Sequence, residues 1–308
     1  MKETVLITGA AGFLGRYCAR HFYQEGHRVI GIDSASQENA PQFALSAYYS
    51  LKLPNSALAK VLSDLHPGLC VHCAGRASVP MSVADPSADF CGNVVLTFEM
   101  LDALRVNAPE CKFLLFSSAA VYGTPECLPV SESHQISPIS PYGFHKRQCE
   151  QLCTEFSQVY GLSTAAVRIF SAYGPGLRRQ VIWDICQKAL ADDSVSLQGT
   201  GKESRDFIHA RDIPRALGVI ASTAPMRGEA YNLGSGMEIS IAALADKVIH
   251  ALGGTNTVSF NGVAHPGMPL NWRADISRLA ELGFSPSVSF ETGLKDVVGW
   301  CGAELRAA

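Results

Sequence analysis

Thr8-Gly9-Ala10-Ala11-Gly12-Phe13-Leu14-Gly15 follows directly on the aliphatic run Thr4-Val5-Leu6-Ile7 and opens an amphipathic stretch reaching Glu25. One glycine is needed where a chain turns sharply out of a strand. A second is needed where the backbone must approach a ligand, and a third where the new helix packs on the strand it has left. The helix then presents its unpaired N–H groups outward, an arrangement suited to a pyrophosphate. Such a triplet is weak evidence alone. Here it stands between a strand and a helix, and Asp33 closes the next apolar run, Arg28-Val29-Ile30-Gly31-Ile32. A carboxylate at that point accepts from both hydroxyls of a ribose and repels a 2′-phosphate. Ser34, Ala35, Ser36 and Gln37 offer no arginine to such a phosphate. The stretch predicts a dinucleotide site that takes NAD rather than NADP.

Outward from it, short β-branched runs alternate with helical patterns, the signature of βαβ units and a parallel sheet. Helices are expected near 57–65, over 89–105 and over 142–160, with strands at 70–73, 113–116 and 164–170 and Ser117-Ser118 at a strand's carboxyl end. A polar stretch up to about Leu53 shows no clear pattern, and a Pro/Ser-rich loop covers 124–141. Past Ala172, glycine and proline punctuate the chain and the βαβ period fades. The expected fold is α/β: a Rossmann-type doubly wound parallel sheet in residues 1–171, to which the chain returns around 206–234. A smaller α/β substrate lobe is expected in 172–308.

The 308 residues are 47% hydrophobic and 17% charged, with 25 Lys and Arg against 28 Asp and Glu. That balance supplies no basic face for a nucleic-acid backbone. No apolar run approaches the length of a membrane span, and no secretory leader pattern opens the chain. A cytoplasmic protein is expected. Ten cysteines in a chain of this length read as packing residues. Cys70 and Cys73 lie on one strand pattern that points them to opposite faces, and no second pair completes a zinc set. No metal site is predicted.

Tyr142-Gly143-Phe144-His145-Lys146 places a tyrosine and a lysine four apart, on one face of a helix start. A phenol, with an ordinary pKa of about 10, becomes a base at neutral pH only where nearby positive charge favours the phenolate. The pair alone is common. Ser118, at the end of a sheet strand upstream, completes a Ser, Tyr and Lys set behind a dinucleotide fold.

With these motifs the chain resembles the extended short-chain dehydrogenase/reductases, in particular the nucleotide-sugar epimerase/dehydratase branch typified by UDP-glucose 4-epimerase. The likeness runs through His72-Cys73-Ala74-Gly75, Asn93-Val94, 116–123, 168–176, Arg205-Asp206-Phe207-Ile208-His209, Tyr231-Asn232-Leu233-Gly234 and Ala274-Asp275-Ile276-Ser277. It implies that Gly9, Gly12, Phe13, Leu14 and Gly15 hold the NAD pyrophosphate and Asp33 the adenosine ribose. Ala74, Gly75 and Asn93 would line the cofactor groove. Tyr142 would be the general base, Lys146 would bridge to the nicotinamide ribose, and Ser118 would bond the reacting hydroxyl. Ser78, Ser118, Ser171, Arg205 and His265 would meet a nucleotide-sugar substrate, Arg205 at its diphosphate. Arg168 is open between a ligand role and a structural ion pair. The likeness also implies a homodimer, formed where the helices over 89–105 and 142–160 of two subunits make a four-helix bundle.

Three departures bear on function. Lys52 stands near where relatives place an acidic adenine contact, Ser171 replaces the usual asparagine, and His265 replaces the usual arginine. Dehydratases of the family carry an Asp-Glu pair after the active-site hydroxyl residue; this chain has Ala119-Ala120, which donate no proton. A 4-epimerase is the leading expectation. The alternatives are a 4-ketosugar reductase or C4 dehydrogenase and, outside enzymes, a nucleotide-sensing regulator.

Overall fold

The computed structural model describes residues 2–41, 44–263 and 269–307. Strand β1 (Thr4–Thr8) leads through the glycine turn into helix α1 (Phe13–Gln24) and then β2 (Arg28–Asp33). β3 (Ala47–Ser50), α2 (Ala57–Leu65) and β4 (Leu69–His72) follow. Two short helices, α3 (Val79–Ala84) and α4 (Pro86–Phe90), then run through a π-turn at Cys91–Val95 into α5 (Leu96–Asn107). β5 (Lys112–Ser118), α6 (Pro141–Tyr160) and β6 (Thr164–Ile169) complete the first half.

In the second half come β7 (Ser171–Tyr173), α7 (Gln180–Ala191), β8 (Ser194–Leu197), β9 (Ser204–His209) and α8 (Asp212–Thr223). They are followed by β10 (Arg227–Leu233), β11 (Glu238–Ser240), α9 (Ile241–Leu252), β12 (Thr257–Phe260), α10 (Ser277–Glu281) and α11 (Phe290–Ala307).

Seven strands form one parallel sheet in the order β10-β6-β5-β4-β1-β2-β3. A parallel sheet is covered on both faces, so its strands read as near-continuous apolar runs. Val5, Ile7, Val71, Leu114 and Val167 pack on one side with α1 and α8 residues such as Ala19 and Leu217. Leu6, Ile30, Cys70, Phe113 and Ala166 pack on the other with residues of α2, α5 and α6. The strand order reverses between β1 and β4, and the crevice outside the carboxyl ends at such a point is where ligands bind. The glycine turn, Cys73-Ala74-Gly75 and Ser118 all leave the sheet at that edge.

Two expectations need correcting. The unpatterned stretch before Leu53 contains β3, a half-exposed edge strand whose partner β2 supplies the pairing. The helix expected over 89–105 is present and unbroken, but it runs through α4, a π-turn and α5 rather than as one regular α-helix. One inserted residue there shifts the register, which a count of apolar positions does not reveal.

A second assembly stands over the carboxyl edge. β11-β9-β7 and β8-β12 are small sheets packed with α7, α9 and α11. Between it and the large sheet lies a cluster of Ala119, Ala120, Val121, Tyr122, Val130, Tyr142, Phe170, Trp272 and Ala274. The Pro/Ser-rich loop is pinned there: Val130 N donates to Arg273 O (2.8 Å), Asp275 N to Val130 O (2.8 Å), and Asn232 N to Glu132 Oε1 (2.7 Å).

Candidate active site

The glycine turn is tight. Gly9 has φ +70°, and a Cβ on it would sit 2.7 Å from Ala74 N, while one on Gly15 would drive into the Gly9 carbonyl. Thr8 Oγ1 accepts from Ala74 N (3.3 Å) and lies 2.8 Å from His72 Nδ1. Burial, with the Lys146 charge adding to it, holds His72 down to about 3, so the ring is neutral. Asp33 accepts from Ala11 N (2.9 Å) on one oxygen and from Ala35 N (3.0 Å) on the other. Each oxygen keeps a further lone pair for a ribose hydroxyl.

The opposite end of the groove is built by β5, α6 and the π-turn. Ser118 ends β5 and accepts from Ala120 N (3.2 Å), capping the 3₁₀ turn Ala119–Tyr122. Ser140 caps α6 by accepting from Gly143 N (3.2 Å), with Pro141 in the first helical position. The next residue, Tyr142, is therefore fixed at the helix mouth, and its N donates to Ser82 Oγ (3.1 Å). Lys146 is buried, donates to Phe116 O (3.0 Å) and lies 5.8 Å from the centre of the Tyr142 ring.

Gly75 has φ +147°, and a Cβ there would fall 2.7 Å from Asn93 Oδ1 and 3.5 Å from Lys146 Nζ. Asn93 Nδ2 donates to Asp89 O (3.1 Å), but its buried Oδ1 has no partner. Gly75, this open acceptor and the ammonium thus ring one polar nook. A cradle of glycines at one end, Asp33 beyond it and the nook at the other fit an extended dinucleotide.

The expected substrate contacts are more dispersed. Ser78 caps α3, accepting from Met81 N (3.4 Å). Ser171 opens β7, half-buried. Arg205 donates to Ser204 O (2.6 Å) and Leu270 O (3.0 Å), with its guanidinium 5.5 Å from the Trp272 ring centre. Burial pulls its pKa below the ordinary value, with Glu203 opposing, so an anion there would be welcome. His265 lies outside the described residues.

Arg168 resolves as an ion pair. Its Nε and Nη2 bond both oxygens of Glu150 (2.9 and 2.8 Å), and Nη1 donates to Tyr122 Oη (2.8 Å). Ser117 donates to Glu150 (2.7 Å) and Tyr122 to Asn232 Oδ1 (2.7 Å). Sequence reasoning also passed over Asp89, fully buried with His145 Nδ1 at 2.6 Å. An acid four residues before Asn93, on the same helix face, was the available signal.

The sequence profile of the NAD dependent epimerase/dehydratase family matches residues 5–234. The UDP-glucose 4-epimerase of Mycolicibacterium smegmatis is 29% identical over 95% of this chain and 96% of its own length. The UDP-N-acetylglucosamine 4-epimerase of Methanobrevibacter ruminantium, solved with UDP-N-acetylmuramic acid, is 29% identical with a TM-score of 0.89, covering 98% of this chain and 99% of that one. The UDP-glucuronic acid 4-epimerase of Bacillus cereus, solved with UDP-glucuronic acid and NAD, is 26% identical with a TM-score of 0.89 over the same shares. The match spans the glycine turn, Asp33, the Ser118 strand end and the Tyr142–Lys146 helix in one frame, and the chain belongs to the NAD dependent epimerase/dehydratase family.

Proposed function

We propose that the protein is an NAD-dependent nucleotide-sugar 4-epimerase with Tyr142 as its base. The observation that carries this reading is the apolar floor beside Ser118. Ala119 and Ala120 are 0% and 8% exposed and share a cluster with Tyr142. No acid stands there to protonate a departing hydroxyl, so chemistry at that end rests on Ser118, Tyr142 and Lys146. Full-length similarity to 4-epimerases of three different sugars supports the reaction and leaves the sugar open.

Gly9, Gly12, Phe13, Leu14 and Gly15 would hold the cofactor pyrophosphate, Asp33 its adenosine ribose, and Ala74, Gly75, Asn93 and Lys146 the nicotinamide end. When bound, NAD supplies a carbon that takes a hydrogen with its electron pair from the sugar and returns it. Tyr142 removes the proton of the 4-hydroxyl while Ser118 bonds the same oxygen. Lys146, held on Phe116 O, keeps positive charge beside the phenolate. The resulting 4-ketose turns over in the pocket, and Tyr142 gives its proton back once the other face of C4 is reduced. No net proton leaves, so one acid–base residue suffices. Arg205 would face the diphosphate, with Ser78, Ser171 and His265 at the sugar and nucleotide.

Residues 1–171 with the returning segment around 206–234 are read as the cofactor lobe, and 172–308 as mainly the substrate lobe. A homodimer through α5 and α6 is supported by their outward surface: Phe98, Phe144, Val159 and Tyr160 are exposed, and Arg105 lies 5.2 Å from the Tyr160 ring centre, joining the two helices into one strip. No helix among the described residues is long and apolar enough to cross a membrane, and ten unpaired cysteines suit a reducing cytoplasm.

The deciding experiment offers UDP-, GDP- and dTDP-sugars and follows C4 interconversion. Tyr142→Phe keeps the ring but deletes the base, so turnover should fall by roughly 10²–10⁴ with substrate affinity nearly unchanged. Ser118→Ala should cost less. Full activity of Tyr142→Phe on the true substrate would overturn the assignment.

A further inference from the structure

The segment Gly174–Gln180 crosses the mouth of the cofactor groove. On the side of the glycine turn, Tyr17 Oη donates to Pro175 O (2.8 Å), and a Cβ on Gly176 would lie 3.7 Å from the Phe13 ring. At its far end Arg179 Nη1 donates to Ala77 O (2.8 Å), two residues beyond Gly75. The strap therefore touches both walls of the groove, the α1 entrance and the loop after β4. Gln180 behind it takes φ +70°, a left-handed conformation that a non-glycine residue adopts only when its surroundings impose it.

The two arginines of the strap differ in what they hold. Arg178 is tied back onto α11, bonding Glu304 (3.0 Å) with its guanidinium 5.7 Å from the Trp300 ring centre. Arg179 is exposed, spends one N–H on a carbonyl, and has no carboxylate partner among the described residues. Arg205 holds two carbonyls, Arg273 holds Gly236 O (3.0 Å) and Arg168 holds Glu150, while Arg76 lies beside Ala77 on the facing loop. An unpaired guanidinium with four remaining donors, spanning a groove already shaped for a dinucleotide, matches the fork geometry of a phosphate.

We propose that Arg179 binds a diphosphate across the groove, making the strap 174–180 a clasp over bound ligand. This rests on the cofactor and substrate reading above. The diphosphate can be that of NAD or that of the nucleotide sugar, and the test separates them. Arg179→Gln, Arg179→Lys and Arg178→Gln are purified with the unaltered protein. NAD retained through gel filtration is measured by release and absorbance, its dissociation rate is followed, and UDP binding to NAD-loaded protein is titrated by calorimetry at low and high salt.

Arg179→Gln should weaken one of the two ligands about tenfold, as loss of a charge-assisted pair does, with a smaller salt dependence. Arg179→Lys should recover part of the loss, and Arg178→Gln should change neither affinity. Weakened NAD names the cofactor as the clasped group; weakened UDP names the substrate. If both affinities stay within twofold of the unaltered protein, the clasp is wrong while the epimerase reading stands. Unaltered protein that binds neither NAD nor UDP overturns both.

Discussion

Replacing Arg168 by methionine tests whether the buried network between β5, β6 and α6 is structural. The guanidinium makes two bonds to Glu150 and one to Tyr122, and the side chains of Arg168 and Glu150 are 5% and 3% exposed. Burial works against the Arg168 charge, but the Glu150 bonds outweigh it and raise its pKa. Removing one partner of such a pair strands the other, at a cost of roughly 3–5 kcal/mol. Arg147, 3.3 Å from Glu150 and 39% exposed, offers partial relief, which places Arg168→Met near about 3 kcal/mol. At a few degrees per kcal/mol, melting should drop by roughly 5–10 °C. Glu150→Met with Arg168→Met removes both charges and should return to within about 1 kcal/mol of the unaltered protein. The assay is thermal unfolding at saturating NAD, so that cofactor linkage is equal throughout, with turnover measured well below the melting range. A melting change under about 1 kcal/mol, together with a hundredfold loss of turnover, would refute the structural role and make Arg168 a ligand.

Asp33→Ala should weaken NAD and narrow its margin over NADP, since the ribose loses an acceptor and the 2′-phosphate its repulsion; titration of both cofactors checks this, and an NADP preference in the unaltered protein would defeat it. Light scattering at micromolar concentration should give twice the 33.0 kDa of one chain, and Phe98→Glu with Val159→Glu should halve it; a stable monomer of the unaltered protein rules out the bundle. Stability should fall in mild acid through His72. Its folded pKa lies below the ordinary 6.5, at about 3, so the unfolded chain takes up the proton first and stability is lost as pH falls from about 6.5 toward 3. By pH 5 that amounts to about 2 kcal/mol. Urea midpoints at pH 7.5 and 5 should fall further for the unaltered protein than for His72→Gln; equal falls would contradict the buried neutral ring.

What could be read in advance was what depends on neighbours in sequence. The glycine turn, Asp33 at a strand end and the Tyr142–Lys146 spacing are local, and the structure places each on the element expected of it. β3 escaped because an edge strand with half-exposed residues carries no strong alternation, and its partner supplies the order. The π-turn escaped because Asn93 sits in an apolar run that reads equally well as regular α-helix; only the Asn93 Oδ1 position relative to Gly75 and Lys146 shows what the extra residue does. Arg168 was ambiguous since its partners lie 18 and 46 residues away. Ser78 and Ser171 were placed by resemblance, and their hydroxyls show no geometry that singles them out.

The distribution of unpaired polar groups is uneven among the described residues. Away from the groove, buried charges are closed off: Asp212 takes Ser287, Val288 N and Arg215, and Asp206 takes donors from Ser235, Gly236 and Ala274. Burial still lifts Asp206 above its ordinary value despite those donors. Yet among the described residues His72 Nε2, Asp89 Oδ1, Asn93 Oδ1, His209 Nε2 and Trp272 Nε1 have no protein partner. Each such group costs about 1–3 kcal/mol, so a fold leaves few. Four of the five belong to the surroundings of the α6 mouth: His72 faces the Lys146 charge, Asp89 holds His145 beside that lysine, Asn93 opens on the Gly75 nook, and Trp272 packs in the cluster with Tyr142. Among the described residues, only His209 Nε2 lies apart from this group, so the open acceptors and donors concentrate around Tyr142 and Lys146. Asp89 stands apart, because its other oxygen already holds His145 Nδ1 (2.6 Å); His145→Phe should lower the melting temperature while turnover well below the melting range is kept, and a loss of turnover with unchanged melting would contradict this.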